Sequence, residues 1–237
     1  MMQANATPLP DVRPADRRVH TVELLVFLFL IVPSLALSLF VTSLPDTPFT
    51  LEAVASILRD CALVALVLFF LWRNREPLRT IGWTTARFGR EALLGLVLFF
   101  PTALLANAVE LGLRSLGLSS PRHAPEALTP AHGPQTVLAV ALVVVVAIAE
   151  ETIFRGYVLS RLRESIRSTP LAIVLSAGIF AIGHGYEGSA GVVTVGVLGV
   201  VFAVVYVWRG SLVAPAVMHF CQDLVAIVLI PGLMHPH

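Results

Sequence analysis

Three short stretches of the 237-residue chain carry ionisable side chains where almost everything around them is apolar. The first reads VVVVAIAEETIFRG and holds Glu150, Glu151 and Arg155. The second, SAGIFAIGHGYEG, holds His184, and the third, APAVMHFCQD, holds His219 and Asp223. An ionisable group in hydrocarbon costs several kcal/mol, so each is a functional candidate by default.

The spacings suggest what chemistry these groups can do. Two adjacent carboxylates repel each other when both are ionised, and Arg155 stands four residues beyond Glu151, the separation of a helical ion pair. Glu150 points about 100° away around the helix and is left for another partner. A carboxylate so placed suits a general base. Ser176, Phe180 and His184 recur at i, i+4 and i+8 and share one helical face, with Gly183 and Gly185 leaving room for close approach. His219 and Asp223 are also four apart, which suits two ligands on one metal or a histidine oriented by a carboxylate. Pro215, four residues before His219, is expected to open the helix there. Against these readings stand the packing alternatives: a salt bridge that fixes register, and a histidine hydrogen-bonded to a neighbouring helix. Arg59 and Asp60 read as an interhelical ion pair.

The elements that must position these residues are membrane helices. The chain is 57% hydrophobic and only 13% charged, with a mean hydropathy of +0.85, whereas soluble domains carry about 25% charged residues. A net charge of +1 excludes the basic footprint of a nucleic-acid binder. Crossing about 30 Å of hydrocarbon takes roughly 20 residues, and seven runs qualify: 22–42, 51–72, 91–113, 136–160, 170–189, 191–208 and 211–230. The expected architecture is all-α, a polytopic bundle of about seven transmembrane helices. Residues 1–20 read as a mobile cytoplasmic tail and 21–237 as a single membrane domain. Leu24 to Phe40 is followed by no small-residue cleavage site and reads as a retained first helix.

Arginine placement sets the orientation. With the N-terminus inside, twelve arginines fall on the cytoplasmic side and two, Arg114 and Arg122, on the other, the positive-inside pattern. The connector 73–90 is arginine-rich, and its Trp83 and Phe88 read as interfacial anchors. The four prolines at 121, 125, 130 and 134 mark a loop. Cys61 and Cys221 read as buried, unpaired thiols, and the glycines from Gly178 to Gly199 as close-packing positions. Counted along the helices, Glu150, His184 and His219 all fall within the hydrocarbon, so one site is geometrically possible.

The three motifs, E150-E151-x-x-x-R155, F180-x-x-x-H184 and H219-x-x-x-D223, stand in this order on successive helices. Together they resemble the CAAX prenyl endopeptidase and bacteriocin-processing family of intramembrane proteases. The resemblance covers about residues 136–230, the expected protease-like core. It implies that Glu150 activates the attacking water, with His184 helping to hold that water. Glu151 and Arg155 would be the supporting pair, and His219 would bind a metal or stabilise the oxyanion. Asp223 stands where prenyl-protein members of the family usually have asparagine, which weakens any inference to a prenylated substrate. The resemblance leaves two mechanisms open: zinc held by His184, His219 and Asp223, or a glutamate protease with no metal.

The activity so implied is hydrolysis of a peptide bond in a membrane-associated protein or peptide, within the lipid bilayer and without nucleic acid. It implies a polar cavity between the fourth, fifth and seventh runs, open to the cytoplasm. A bacterial inner membrane with a cytoplasmic N-terminus is the expected location, and no feature sets an oligomeric state. The competing classes are a non-catalytic immunity or scaffold protein of the same fold, an ion-coupled transporter, and a bis-histidine haem protein.

Overall fold

The computed structural model describes residues 14–41, 48–119, 130 and 133–231. Among them there is no strand. Helices α1 (Pro14–Val41), α2 (Phe49–Arg73) and α3 (Phe88–Ser115) come first, with a short 3₁₀ turn, Leu78–Ile81, in the connector. Helix α4 (Pro134–Glu150) runs through a π-helical segment, Glu151–Val158, into α5 (Leu159–Ile166). Then come α6 (Thr169–Ile182), α7 (Gly188–Arg209) and α8 (Val213–Asp223), the last prolonged by a π-helical turn, Leu224–Leu229.

Four rods are long and apolar enough to cross a membrane: Phe49–Arg73, Phe88–Ser115, Pro134–Ile166 and Gly185–Arg209. Thr169–Ile182 and Val213–Leu229 are apolar but shorter. Large apolar side chains cover the outside, with Phe29, Leu104 and Leu116 each more than 70% exposed. In water such a surface would be a liability. In lipid it is the solvated face, so the protein is an integral membrane protein.

Without a hydrophobic force between helices, close backbone approach holds such a bundle together. A Cβ on Gly95 of α3 would lie 2.5 Å from the Ala214 carbonyl oxygen of α8, and one on Gly199 of α7 would lie 3.1 Å from the Ala177 Cβ of α6. These contacts seat α8 on α3 and α7 on α6, as expected for Gly199. Gly178 has open space around it and is not a close-packing position.

Several expected boundaries move. Residues 1–13 lie outside the described residues, but 14–20 are helical, so the tail does not extend to residue 20. His20, Glu23, Leu24, Phe27 and Ile31 form the buried face of α1. The fourth run does not end at 160. With its continuation to Ile166 it is a 33-residue rod, about 50 Å long at 1.5 Å per residue. Its far end is enclosed by protein, where Arg161, Arg163 and Glu164 are buried rather than lying in a solvated loop.

Tyr157 sits at the centre of this end, with its ring 5.3 Å from Phe27 of α1 and 5.9 Å from Phe70 of α2. Beside it His20 reaches Glu164 at 2.7 Å and Glu76 at 3.1 Å, while Arg161 binds both oxygens of Glu76 at 2.7 and 2.9 Å. Arg73 pairs with Glu23. A groove of about 420 Å³ lies between α1 and α2, lined by Arg18, Glu23, Phe70 and Arg73 among others. It is not the expected cavity between the fourth, fifth and seventh runs. Cys61 and Cys221 are both free, as expected, but Cys61 faces outward rather than being buried.

Candidate active site

The chain widens into a π-helix at the paired glutamates. Such segments leave carbonyls without regular partners and recur at functional sites. Helix α6 braces this segment, where the Ser176 hydroxyl donates to the Phe154 carbonyl at 2.9 Å beside the Leu159 backbone N–H. The connector supplies another brace. Trp83, expected as an interfacial anchor, instead donates its indole N–H to Thr152 Oγ1 at 3.0 Å, and Thr152 donates to the Ile148 carbonyl at 2.6 Å. Gly82 permits this approach at φ +92°, because any Cβ there would lie 2.6 Å from the Tyr206 ring. Phe88, 57% exposed at the start of α3, faces outward.

Glu151 and Arg155 come together as their spacing requires, with Arg155 Nη1 2.9 Å from Glu151 Oε1. Both are sealed from solvent, at 0% and 1% exposure. The Arg155 guanidinium lies 4.2 Å from the centre of the Phe180 ring and 5.3 Å from that of Phe202. Two aromatic faces thus stabilise the cation that Glu151 pairs with.

Glu151 also takes a partner that no spacing reveals. His219 of α8 donates its Nδ1–H to Glu151 Oε1 at 3.0 Å. An ionised carboxylate can only accept, so this bond places a proton on Nδ1 and turns Nε2 to the other side. There Nε2 lies 3.4 Å from Asp223 Oδ2 and 3.7 Å from Glu150 Oε2. The imidazole is therefore gripped by one carboxylate and faces two more. Glu150 Oε2 is buried and has no hydrogen-bond partner, which leaves it able to accept a proton.

His184 is placed differently from the expectation. Helix α6 ends at Ile182, so His184 stands in the break before α7 rather than inside a span reaching residue 189. The intended alignment with Phe180 survives: His184 Nδ1 donates to the Phe180 carbonyl at 3.0 Å, and the two rings are 4.7 Å apart. The Phe180 ring also meets the His219 ring at 6.0 Å. His184 is half-buried, with Tyr186 beside it at 5.9 Å. Pro215 does not open α8. It occupies the first turn, where helix N–H groups have no partner in any case.

Arg59 and Asp60 do not bridge two helices. They pair with each other on α2, Nε to Oδ1, at 3.0 Å. Asp60 is nevertheless within electrostatic reach of Glu150 and His219, as is Tyr186 of Glu150 and Asp223. Sequence reasoning left both out of the site. Asp60 lies seven residues from Ala53 and from Val67 on the stripe of α2 that the bundle buries, a stripe that no pattern in the sequence marks.

Among the described residues no group of three or more His, Cys, Asp and Glu side chains is arranged to hold a metal ion. His184, His219 and Asp223 are accordingly not gathered as a ligand set.

The fold and these side chains define a polytopic helical membrane protein with a carboxylate–imidazole centre enclosed by its helices. Residues 132–225, which supply all of that centre except the α2 pair, match the family described as type II CAAX prenyl endopeptidase Rce1-like. The segment that carries the three motifs is thus similar to the family they resemble. No curated protein and no solved structure matches the chain.

Proposed function

We propose that the protein is an intramembrane endopeptidase in which Glu150 activates a water molecule against a peptide bond of a membrane-associated protein or peptide. The observation that carries this reading is the buried, partnerless oxygen of Glu150 facing an imidazole that Glu151 fixes. The water gives a proton to Glu150 as its oxygen bonds to the carbonyl carbon. His219 in its doubly protonated form, with Nδ1–H on Glu151, donates its Nε2–H to the oxyanion that forms, a charge-assisted contact. When the C–N bond breaks, Glu150 returns the proton to the leaving amine. Arg155 holds Glu151, and Glu151 in turn orients the imidazole. With Nδ1 bound to the Phe180 carbonyl, His184 has Nε2 left to hold the water or the substrate backbone at the α6–α7 break. Asp223 keeps His219 turned towards Glu150. The N-terminus is cytoplasmic in this reading, and a bacterial inner membrane suits it.

The test uses purified protein in lipid nanodiscs and an internally quenched peptide ending in a prenylated-cysteine motif, beside its unprenylated twin. Glu150→Gln is expected to lower turnover by a factor of about 10² or more, the size of a general-base contribution, with thermal stability retained. His184→Ala is expected to abolish cleavage in the same way. Because the ligand set is not gathered, dialysis against a chelator is expected to leave turnover unchanged, with plasma mass spectrometry reporting the metal content. A Glu150→Gln variant that still cleaves at the wild-type rate refutes the assignment.

A further inference from the structure

The N-terminal helices lie outside the segment that matches the protease family, yet α2 delivers a buried carboxylate, Asp60, paired with the part-exposed Arg59, to the site. The register of α2 against α4 shows where. The two helices run parallel, with Ala53 packing on Ala139 and Leu142, and Val67 joining Ile153 and Tyr157. Asp60, midway between Ala53 and Val67 on the same stripe, is thereby brought level with the last turn of α4, which ends at Glu150. Its side chain is 3% exposed. Arg59 occupies Oδ1, and Oδ2 is buried with no hydrogen-bond partner.

Two buried carboxylate oxygens, Asp60 Oδ2 and Glu150 Oε2, therefore approach one region from different helices with nothing donating to either. Ionised carboxylates can only accept, and a buried acceptor without a donor is costly. The group that satisfies both is a donor between them, and a water molecule supplies one O–H to each. We propose that Asp60, anchored by Arg59, is a positioning residue for Glu150: through one intervening water it holds the Glu150 carboxylate in the orientation used for catalysis. This rests on the protease reading above and extends the site to the N-terminal half of the chain.

Asp60→Asn keeps the shape and removes the second acceptor oxygen. With the quenched peptide in nanodiscs, kcat is expected to fall about 10- to 100-fold, the effect of misplacing a catalytic group by about 1 Å, with KM within about twofold of wild type. Combining Asp60→Asn with Glu150→Asp separates positioning from mere packing. If Asp60 acts through Glu150, the double variant loses no more than Glu150→Asp alone; independent, multiplying losses overturn the proposal, as does wild-type kcat in Asp60→Asn.

Should Asp60→Asn fail to fold, Arg59→Gln releases the anchor while keeping the carboxylate, and the same kcat loss is expected. Infrared spectra of the carboxyl region give a readout without substrate. Asp60→Asn is expected to shift the Glu150 band, identified by its absence in Glu150→Gln, and an unmoved band overturns the proposal. Wild-type turnover by Glu150→Gln would sink the assignment of Glu150 as the base, while the infrared comparison would still decide whether Asp60 bears on Glu150.

Discussion

Removing Arg155 tests the architecture of the site most directly. Glu151 and Arg155 are buried at 0% and 1% exposure, so no solvent screening reduces the consequence. In Arg155→Met the aliphatic stem is kept, but Glu151 is left with His219 as its remaining partner. Breaking a buried pair from one side costs about 3–5 kcal/mol, because an uncompensated charge remains in a medium that cannot solvate it. The contacts of the guanidinium with the Phe180 and Phe202 rings are lost as well. At roughly 2–4 °C per kcal/mol for a chain of this size, the melting temperature in nanodiscs is expected to fall by about 6–20 °C. The double variant Glu151→Gln, Arg155→Met removes both charges and leaves an amide oxygen to accept from His219 Nδ1. It is expected to recover most of that loss while remaining slow in cleavage. A single variant melting within about 2 °C of wild type, or a double variant no more stable than the single, would refute this account of Arg155.

The other predictions concern elements away from the chemistry. His20, bonded to Glu164 and Glu76, has its pKa raised from 6.5 to about 9, so it is charged in the folded protein at neutral pH. Its contribution to stability is complete below about pH 6.5 and is lost as pH rises through about 9. A melting curve of wild type against His20→Gln should accordingly show the gap between them closing over that window, and a constant gap would count against the network. Hydrogen bonds from His20 and Arg161 hold the Glu76 carboxyl below its ordinary range, so its share is present above the usual carboxylate range and lost as pH falls through the lowered value. Gly95→Ala forces a Cβ against the Ala214 carbonyl and is expected to cost about 1–3 kcal/mol. Gly178→Ala meets nothing within 4 Å and is expected to be neutral or stabilising, so equal melting shifts for the two would contradict the α3–α8 contact.

What could be read along the chain was whatever a single helix fixes. The membrane class follows from composition. The pairs Glu151–Arg155 and His219–Asp223 follow from a spacing of four, because the helical period alone brings such residues together. The three motifs also carried the family resemblance, since their order and local spacing survive in any register. The contacts between helices were not legible. A helix that is apolar all round has no polar face to show which side turns inward, so nothing in α2 distinguished Asp60 as a neighbour of Glu150.

Tertiary structure alone decided that His219 bonds to Glu151 from 68 residues away. It also decided that Trp83 braces Thr152 instead of resting at the interface, and that α6 stops short and leaves His184 in a break. The physical reason is common to all three. In lipid the rotation and register of helices are set by backbone approach and by buried polar partners, and those depend on which small residue meets which carbonyl across the bundle.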